Sequence, residues 1–177
     1  MPSLLDLPAI ETQRLRLRVL TPEDAGAFHL LTDEPAIIAA IDFLHAPFSR
    51  ADAAALLLGE GDGRDCFWGL WRKGEAALIG TVGSHLRGQA EIEIGYWLAP
   101  AVHGRGFGAE AVAAVIVALT TAFPERRIYA ECRPQNLASW RLLEKTGFRA
   151  EGTGKRAGRV RLALDHDGFR SKRPKRI

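Results

Sequence analysis

The strongest constraint on this chain is a change of hydrophobic period at His103-Gly104-Arg105-Gly106-Phe107-Gly108-Ala109, which separates alternating sequence from a long apolar stretch. Before it, Glu91-Ile92-Glu93-Ile94 has the period of a strand with one buried face; after it, residues 109–123 have the length and density of a helix packed on a sheet. Three glycines at such a junction let the backbone bend tightly and aim free amide groups at a point ahead of the helix start, which makes an anion site. Arg105 adds a full charge suited to phosphate. The turn lacks the GK[ST] ending of a nucleoside-triphosphate loop. It does fit the dinucleotide pattern GxGxxA, with Glu131 near the position of a ribose-binding acid. Yet a dinucleotide-binding strand is apolar on both faces and runs straight into its first glycine, whereas here 91–94 alternates and 100–103 intervenes. The turn therefore predicts a diphosphate within a larger cofactor of another kind.

The flanking sequence sets this junction in a sheet. Residues 10–20 alternate Leu15, Leu17 and Val19 against Arg14, Arg16 and Arg18, a half-buried first strand. Thr21-Pro22-Glu23-Asp24 then caps a helix running to about residue 32, and Ser49 with Asp52 caps a second over 50–58. Three strand-like runs follow between residues 66 and 98, separated by turns at 73–75 and 87–89, which reads as an antiparallel meander. A strand at 127–132, a helix at about 137–146 and a last sheet segment at 160–164 complete the chain. Strand, helix, strand around the glycine turn implies a parallel, right-handed crossover, so the expected fold class is α/β, a largely antiparallel twisted sheet with one central parallel β-α-β unit.

Composition narrows the classes. A 177-residue chain that is 47% apolar and 25% charged buries a core and is expected to form one domain over residues 1–177. The longest apolar stretch, 111–122, is well short of the ~20 residues a membrane span needs, and residues 1–11 do not form a secretory signal, so no membrane partner and a cytoplasmic location are expected. Cys66 and Cys132 form no CxxC pair, and His29, His45, His85 and His166 are scattered without a neighbouring acid cluster; no metal site is expected. The net charge of +3 resides in a basic end at 170–177, read as solvated and not as a nucleic-acid site.

The residues around the turn resemble the GNAT acetyltransferase superfamily. Residues 103–108 read as its coenzyme A motif, Q/R-x-x-G-x-G/A; Glu93-Ile94-Gly95-Tyr96-Trp97-Leu98 looks like the strand entering that motif. Asn136-Leu137-Ala138-Ser139-Trp140-Arg141-Leu142-Leu143-Glu144-Lys145-Thr146-Gly147-Phe148 looks like the NxxSxRxxEKxGF segment after it. With the opening Glu11-Thr12-Gln13-Arg14-Leu15-Arg16-Leu17-Arg18, the chain is similar to the branch containing the ribosomal-protein N-terminal acetyltransferases, over residues 10–155. Three departures stand out: His103 replaces Gln or Arg, Leu143 occupies the position where many members carry a tyrosine that protonates the leaving thiolate, and Asp165-His166-Asp167-Gly168-Phe169 replaces an aromatic-rich closing strand.

The resemblance implies transfer of an acetyl group from acetyl-coenzyme A to a primary amine by direct attack in a ternary complex. It implies strands splayed near Trp97, Leu98 and Ala99, whose unpaired backbone holds the pantetheine arm, and a diphosphate held by His103, Gly104, Arg105, Gly106, Phe107, Gly108 and Ala109. Asn136 would bond the pantetheine as well as cap its helix. Ser139, one turn on, would face the thiol, and Arg141 and Lys145 would reach the nucleotide phosphates. Glu91 and Glu93 share one face of their strand, so the proton acceptor is assigned to Glu93 first and Glu91 second. The acceptor is a protein N-terminus or a small amine: a polyamine, amino sugar, amino acid or antibiotic. Alternatives are a coenzyme A-binding module without turnover and an RNA-binding protein using the basic end. A short closing strand at the sheet edge is one that homodimer formation would cover.

Overall fold

In the computed structural model, which describes residues 3–165, the apolar alternation resolves into one sheet with helices on both faces. The elements are β1 (Ile10–Glu11), β2 (Leu15–Val19), α1 (Ala25–Thr32), α2 (Pro35–Ala40), α3 (Arg50–Leu58), β3 (Asp65–Arg72), β4 (Leu78–Arg87) and β5 (Glu91–Leu98). They continue with α4 (Phe107–Ala122), β6 (Arg127–Cys132), α5 (Leu137–Lys145), β7 (Phe148–Thr153) and β8 (Val160–Leu164). The sheet has eight strands in the order β1-β2-β3-β4-β5-β6-β8-β7, and the β5–β6 pair is parallel as expected. The basic end and His166 lie outside the described residues.

Alternation assigns each strand residue to a layer. Ile92 and Ile94 of β5 face the α4 layer with Trp68, Leu70, Val112, Val115 and Ile116, all buried. Trp97 faces the opposite layer, where α1, α2 and α3 supply Phe28, Ile37, Ala53 and Leu57. There its indole Nε1 donates to Thr32 Oγ1 at 3.1 Å, and its ring lies 5.8 Å from those of Phe28 and Phe67. Side chains of this size each contribute roughly 1.5–3 kcal/mol on burial.

Four boundaries differ from the sequence reading. The first strand is broken into a β1–β2 hairpin with Ile10 opposite Leu17, because Thr12 Oγ1 bonds the Leu15 backbone and turns the chain. A six-residue helix, α2, opens on Pro35 between elements where none was assigned; it is too short to show a helical period. α4 starts two residues early, at Phe107, because Gly106 (φ 79°) takes the left-handed N-cap position. The closing strand β8 is not the edge: it pairs with β6 on one side and β7 on the other, since Leu162 and Leu164 belong to the core. The edge is β7, exposed beyond Phe148 and irregular between Ala150 and Gly152. An exposed, charged and bulged edge resists pairing with a second sheet. Among the described residues, no helix is long and apolar enough to cross a membrane.

Candidate active site

The parallel pairing of β5 with β6 covers only 91–93 against 127–129. Beyond it β5 stays with β4 to Leu98, while β6 turns its other edge to β8 as far as Cys132. The two central strands thus diverge, and a cavity of about 1170 Å³ fills the gap, larger than most small-molecule pockets. It runs from the glycine turn, past Asn136 and Ser139, to Glu93 and the far face of the sheet.

The turn has open backbone geometry of the kind that can cradle an anion. Gly104 (φ 73°) has nothing within 4 Å of where a Cβ would stand, and the first-turn amides of α4 have no intrahelical acceptor. Gly108 serves packing instead: a Cβ there would lie 2.8 Å from Leu142 Cδ1 of α5. The outer side is braced by Arg14, which donates to Glu110 at 2.7 Å and to the Arg105 carbonyl at 2.9 Å and stacks 4.4 Å from the Phe107 ring. Burial alone would raise the Glu110 carboxyl, but Thr12 and Arg14 bond it and hold it below its usual range.

The structure gathers most of the expected residues. Glu93, Trp97, Leu98, His103, Gly104, Gly106, Phe107, Gly108, Ala109, Asn136, Ser139, Arg141 and Lys145 line the cavity; Glu91, Ala99 and Arg105 do not. Arg105 lies 5.5 Å over the Phe107 ring. Ala99 does not offer a free amide, because its N–H donates to the Ile79 carbonyl at 2.9 Å. The Leu98 carbonyl is met by His103 Nε2 at 2.9 Å, so the His103 ring ties the turn to the end of β5. Glu91 is drawn away by Arg161, 2.5 Å distant. Asn136 caps α5, its Oδ1 accepting from Ser139 N–H at 3.1 Å.

Two arrangements escaped the sequence. On the α5 side, the Tyr96 hydroxyl lies 2.8 Å from Ser139 Oγ and 3.2 Å from the Ser139 carbonyl; burial pushes this phenol above its ordinary range, and Ser139 lowers it only in part. Tyr96 stays protonated, and when it donates to Oγ the serine's own proton is free to point into the cavity. On the opposite face an ionic ladder crosses four strands, β3 to β6. Asp65 accepts from His85 Nδ1 at 2.7 Å, Arg87 contacts Asp65 at 3.4 Å and Glu93 at 3.0 Å, and Arg156 bonds Glu93 and lies 3.7 Å from Glu131. Burial would raise the Glu93 carboxyl, but Arg156 and Arg87 outweigh it and hold it below its usual value. The His85 bond holds Asp65 low as well, against burial. The signals were cross-strand: Asp65 sits directly opposite His85, and His85 opposite Glu93.

The described residues contain no group of three or more His, Cys, Asp or Glu placed to hold a metal. Comparison with known proteins agrees with this architecture. Residues 14–149 match the model of the acetyltransferase (GNAT) domain. The chain is 33% identical over 152 residues to the uncharacterized N-acetyltransferase YoaA of Bacillus subtilis, covering 82% of this chain and 85% of that one. Among solved structures, the aminoglycoside acetyltransferase AAC(6')-Ib with ribostamycin and coenzyme A superposes with a TM-score of 0.78 at 22% identity, covering 92% and 99% of the two chains. The ribosomal-protein-S5-alanine acetyltransferase of Vibrio fischeri gives 0.77 at 22%, covering 92% and 98%. With a splayed parallel pair, a glycine cradle at a helix start and a matching domain model over most of its length, the chain belongs to the GNAT family of acetyl-coenzyme A-dependent N-acetyltransferases.

Proposed function

We propose that this acetyltransferase modifies a cationic primary amine, on a small molecule or a protein N-terminus, by direct attack within a ternary complex. Acetyl-coenzyme A supplies the thioester. The turn at 103–109 and the first-turn amides of α4 would bind its diphosphate, Arg141 and Lys145 would add charge, and the edges freed by the β5–β6 divergence, with Asn136, would hold the arm. Ser139, fed by the Tyr96 hydroxyl, would donate a hydrogen bond to sulfur as negative charge develops there.

The observation that carries the acceptor class is the charge of the ladder on the far face. With every charge lining that end counted, the carboxylates of Asp42, Glu60, Asp65, Glu93 and Glu131 outnumber the guanidiniums of Arg87, Arg133, Arg156 and Arg159 by one, so the end of the cavity away from the glycine turn carries a small net negative charge that would draw a cationic amine. Glu93 contributes a fixed charge in this arrangement. Two buried free thiols, Cys66 and Cys132, suit the reducing cytoplasm. Single-turnover thiol release from acetyl-coenzyme A against peptide N-termini, polyamines and amino sugars tests the reading. Release is expected with one class, slowed roughly 10- to 100-fold by Ser139→Ala. Tight coenzyme A binding with no release from any amine would instead identify a binding module.

A further inference from the structure

The amine's proton needs an acceptor, and the two carboxylates on the acceptor face are poorly suited to the role. Glu91 is outside the cavity wall and tied to Arg161. Glu93 accepts from both Arg87 and Arg156, and a carboxylate stabilised by two guanidiniums loses basicity. Next to it on the same face stands a group arranged for the task. Asp65, as a carboxylate, can only accept, so the 2.7 Å contact with His85 fixes the imidazole proton on Nδ1. Nε2 then carries the lone pair, and among the described residues it makes no hydrogen bond. The Phe67 ring meets the imidazole edge-on at 5.6 Å and limits its rotation.

Two glycines shape the surroundings of Nε2, one by admitting the ring and one by leaving the sheet open. A Cβ on Gly83 would lie 2.8 Å from His85 Nε2, so any side chain there would displace the ring. Gly83 pairs with Gly95 across β4 and β5, and Gly95 is exposed, with nothing within 4 Å of where its Cβ would stand. Both line the cavity that reaches Ser139. Gly83 lets the His85 and Phe67 rings lie against the sheet, and Gly95 beside it leaves a bare patch on β5 between the divergent strands and the imidazole.

Resting on the acetyl-transfer reading, we propose that His85 is the catalytic base, that Asp65 is its positioning residue, and that the bare surface at Gly95 seats the acceptor nitrogen. The ammonium drawn to this end first gives one proton to His85 Nε2, which releases it to solvent; the lone pair so freed forms the C–N bond with the acetyl carbon, a second N–H proton passes to His85 Nε2, and the C–S bond breaks with its electron pair on sulfur. His85 returns the proton to solvent, and the thiolate, bonded by Ser139, takes one up from solvent. The same logic, an aspartate fixing the tautomer of a histidine base, operates in serine hydrolases.

The test uses the full chain and whichever amine of the panel gives the fastest wild-type release. His85→Gln is expected to lower the single-turnover rate about 100-fold or more at pH 7, with the affinity for coenzyme A unchanged. The one-proton limb of the wild-type pH profile, measured with Asp65, Arg87, Glu93, Arg156 and Glu60 all facing this end of the cavity, should disappear in the variant. His85→Ala should regain rate with added imidazole. Asp65→Asn should fall between wild type and His85→Gln and displace the limb. A His85→Gln enzyme within about threefold of wild type across the profile overturns the proposal. Loss of rate without imidazole rescue, with the limb still present, assigns His85 a structural role and overturns it too. Absence of release by the wild type from every amine would sink the acetyl-transfer reading instead.

Discussion

The two ends of the cavity are built by opposite means. The end beneath α4 and α5 is made of backbone amides, glycines, the hydroxyls of Ser139 and Tyr96 and the cations Arg141 and Lys145; apart from Tyr96 these residues fall within two short segments, 103–109 and 136–145. The far end is ionic, and its ladder takes Asp65 from β3, His85 and Arg87 from β4, Glu93 from β5, Glu131 from β6 and Arg156 from the β7–β8 connection. A fixed ligand can be met by local turn geometry, whereas a site assembled across a sheet, as the proposed acceptor end is, depends on register, and one substitution there touches several charges. The first end should therefore be tolerant in stability and the second brittle.

Substitutions can break that contrast. Glu93→Gln leaves Arg87 and Arg156 facing a neutral amide; buried pairs broken in this way typically cost 3–5 kcal/mol. Because both arginines keep solvent contact, a loss of about 2 kcal/mol is expected in denaturant unfolding. A smaller loss would mean that the ladder is not structural. Asn136→Ala removes the α5 cap and should cost about 1 kcal/mol, seen as fraying of residues 137–140 in hydrogen exchange and weaker coenzyme A binding. Tyr96→Phe should cost roughly 0.5–1.5 kcal/mol and slow thiol release about tenfold while leaving coenzyme A affinity intact. An unchanged rate would remove Tyr96 from the sulfur step.

Acid sharpens the same comparison. The folded-state values of Asp65 and Glu93 are lowered, so the unfolded chain binds more protons and the stability from both groups is present above about pH 5. It is lost as pH falls through the folded values. Exchange near pH 4 should quicken first in β3, β4 and β5, with α5 following only in global unfolding. Simultaneous opening of both would show one cooperative unit.

How much was legible follows the same divide. The placement of the glycine turn, Asn136 and Ser139 along the cavity could be read because each is positioned within a turn or two of its own sequence, and the caps at Ser49 and Asn136 appear as expected. The helix start was misplaced because Gly106 could be judged a cap only from its dihedral angle. His85 looked isolated because Asp65, twenty positions away, becomes its partner only when the β3–β4 register is set. Tyr96 was visible as part of a motif, but its bond to Ser139 crosses 43 positions. The charges on Glu91 and Glu93 were legible and their arginines were not, since Arg156 and Arg161 come from the end of the described chain.

The divergence of β5 from β6 has one more consequence. β6 leaves β5 with its other edge fully engaged by β8, through Tyr129–Ala163, Ala130–Leu162, Glu131–Arg161 and Cys132–Val160. The gap is therefore held open by the hydrogen-bond topology of the sheet and needs no ligand to wedge it apart. A cofactor arm bound there, as proposed, would meet strand edges already parted, so little of the binding free energy would be diverted to ordering protein, and association should be fast, single-phase and free of a slow isomerisation.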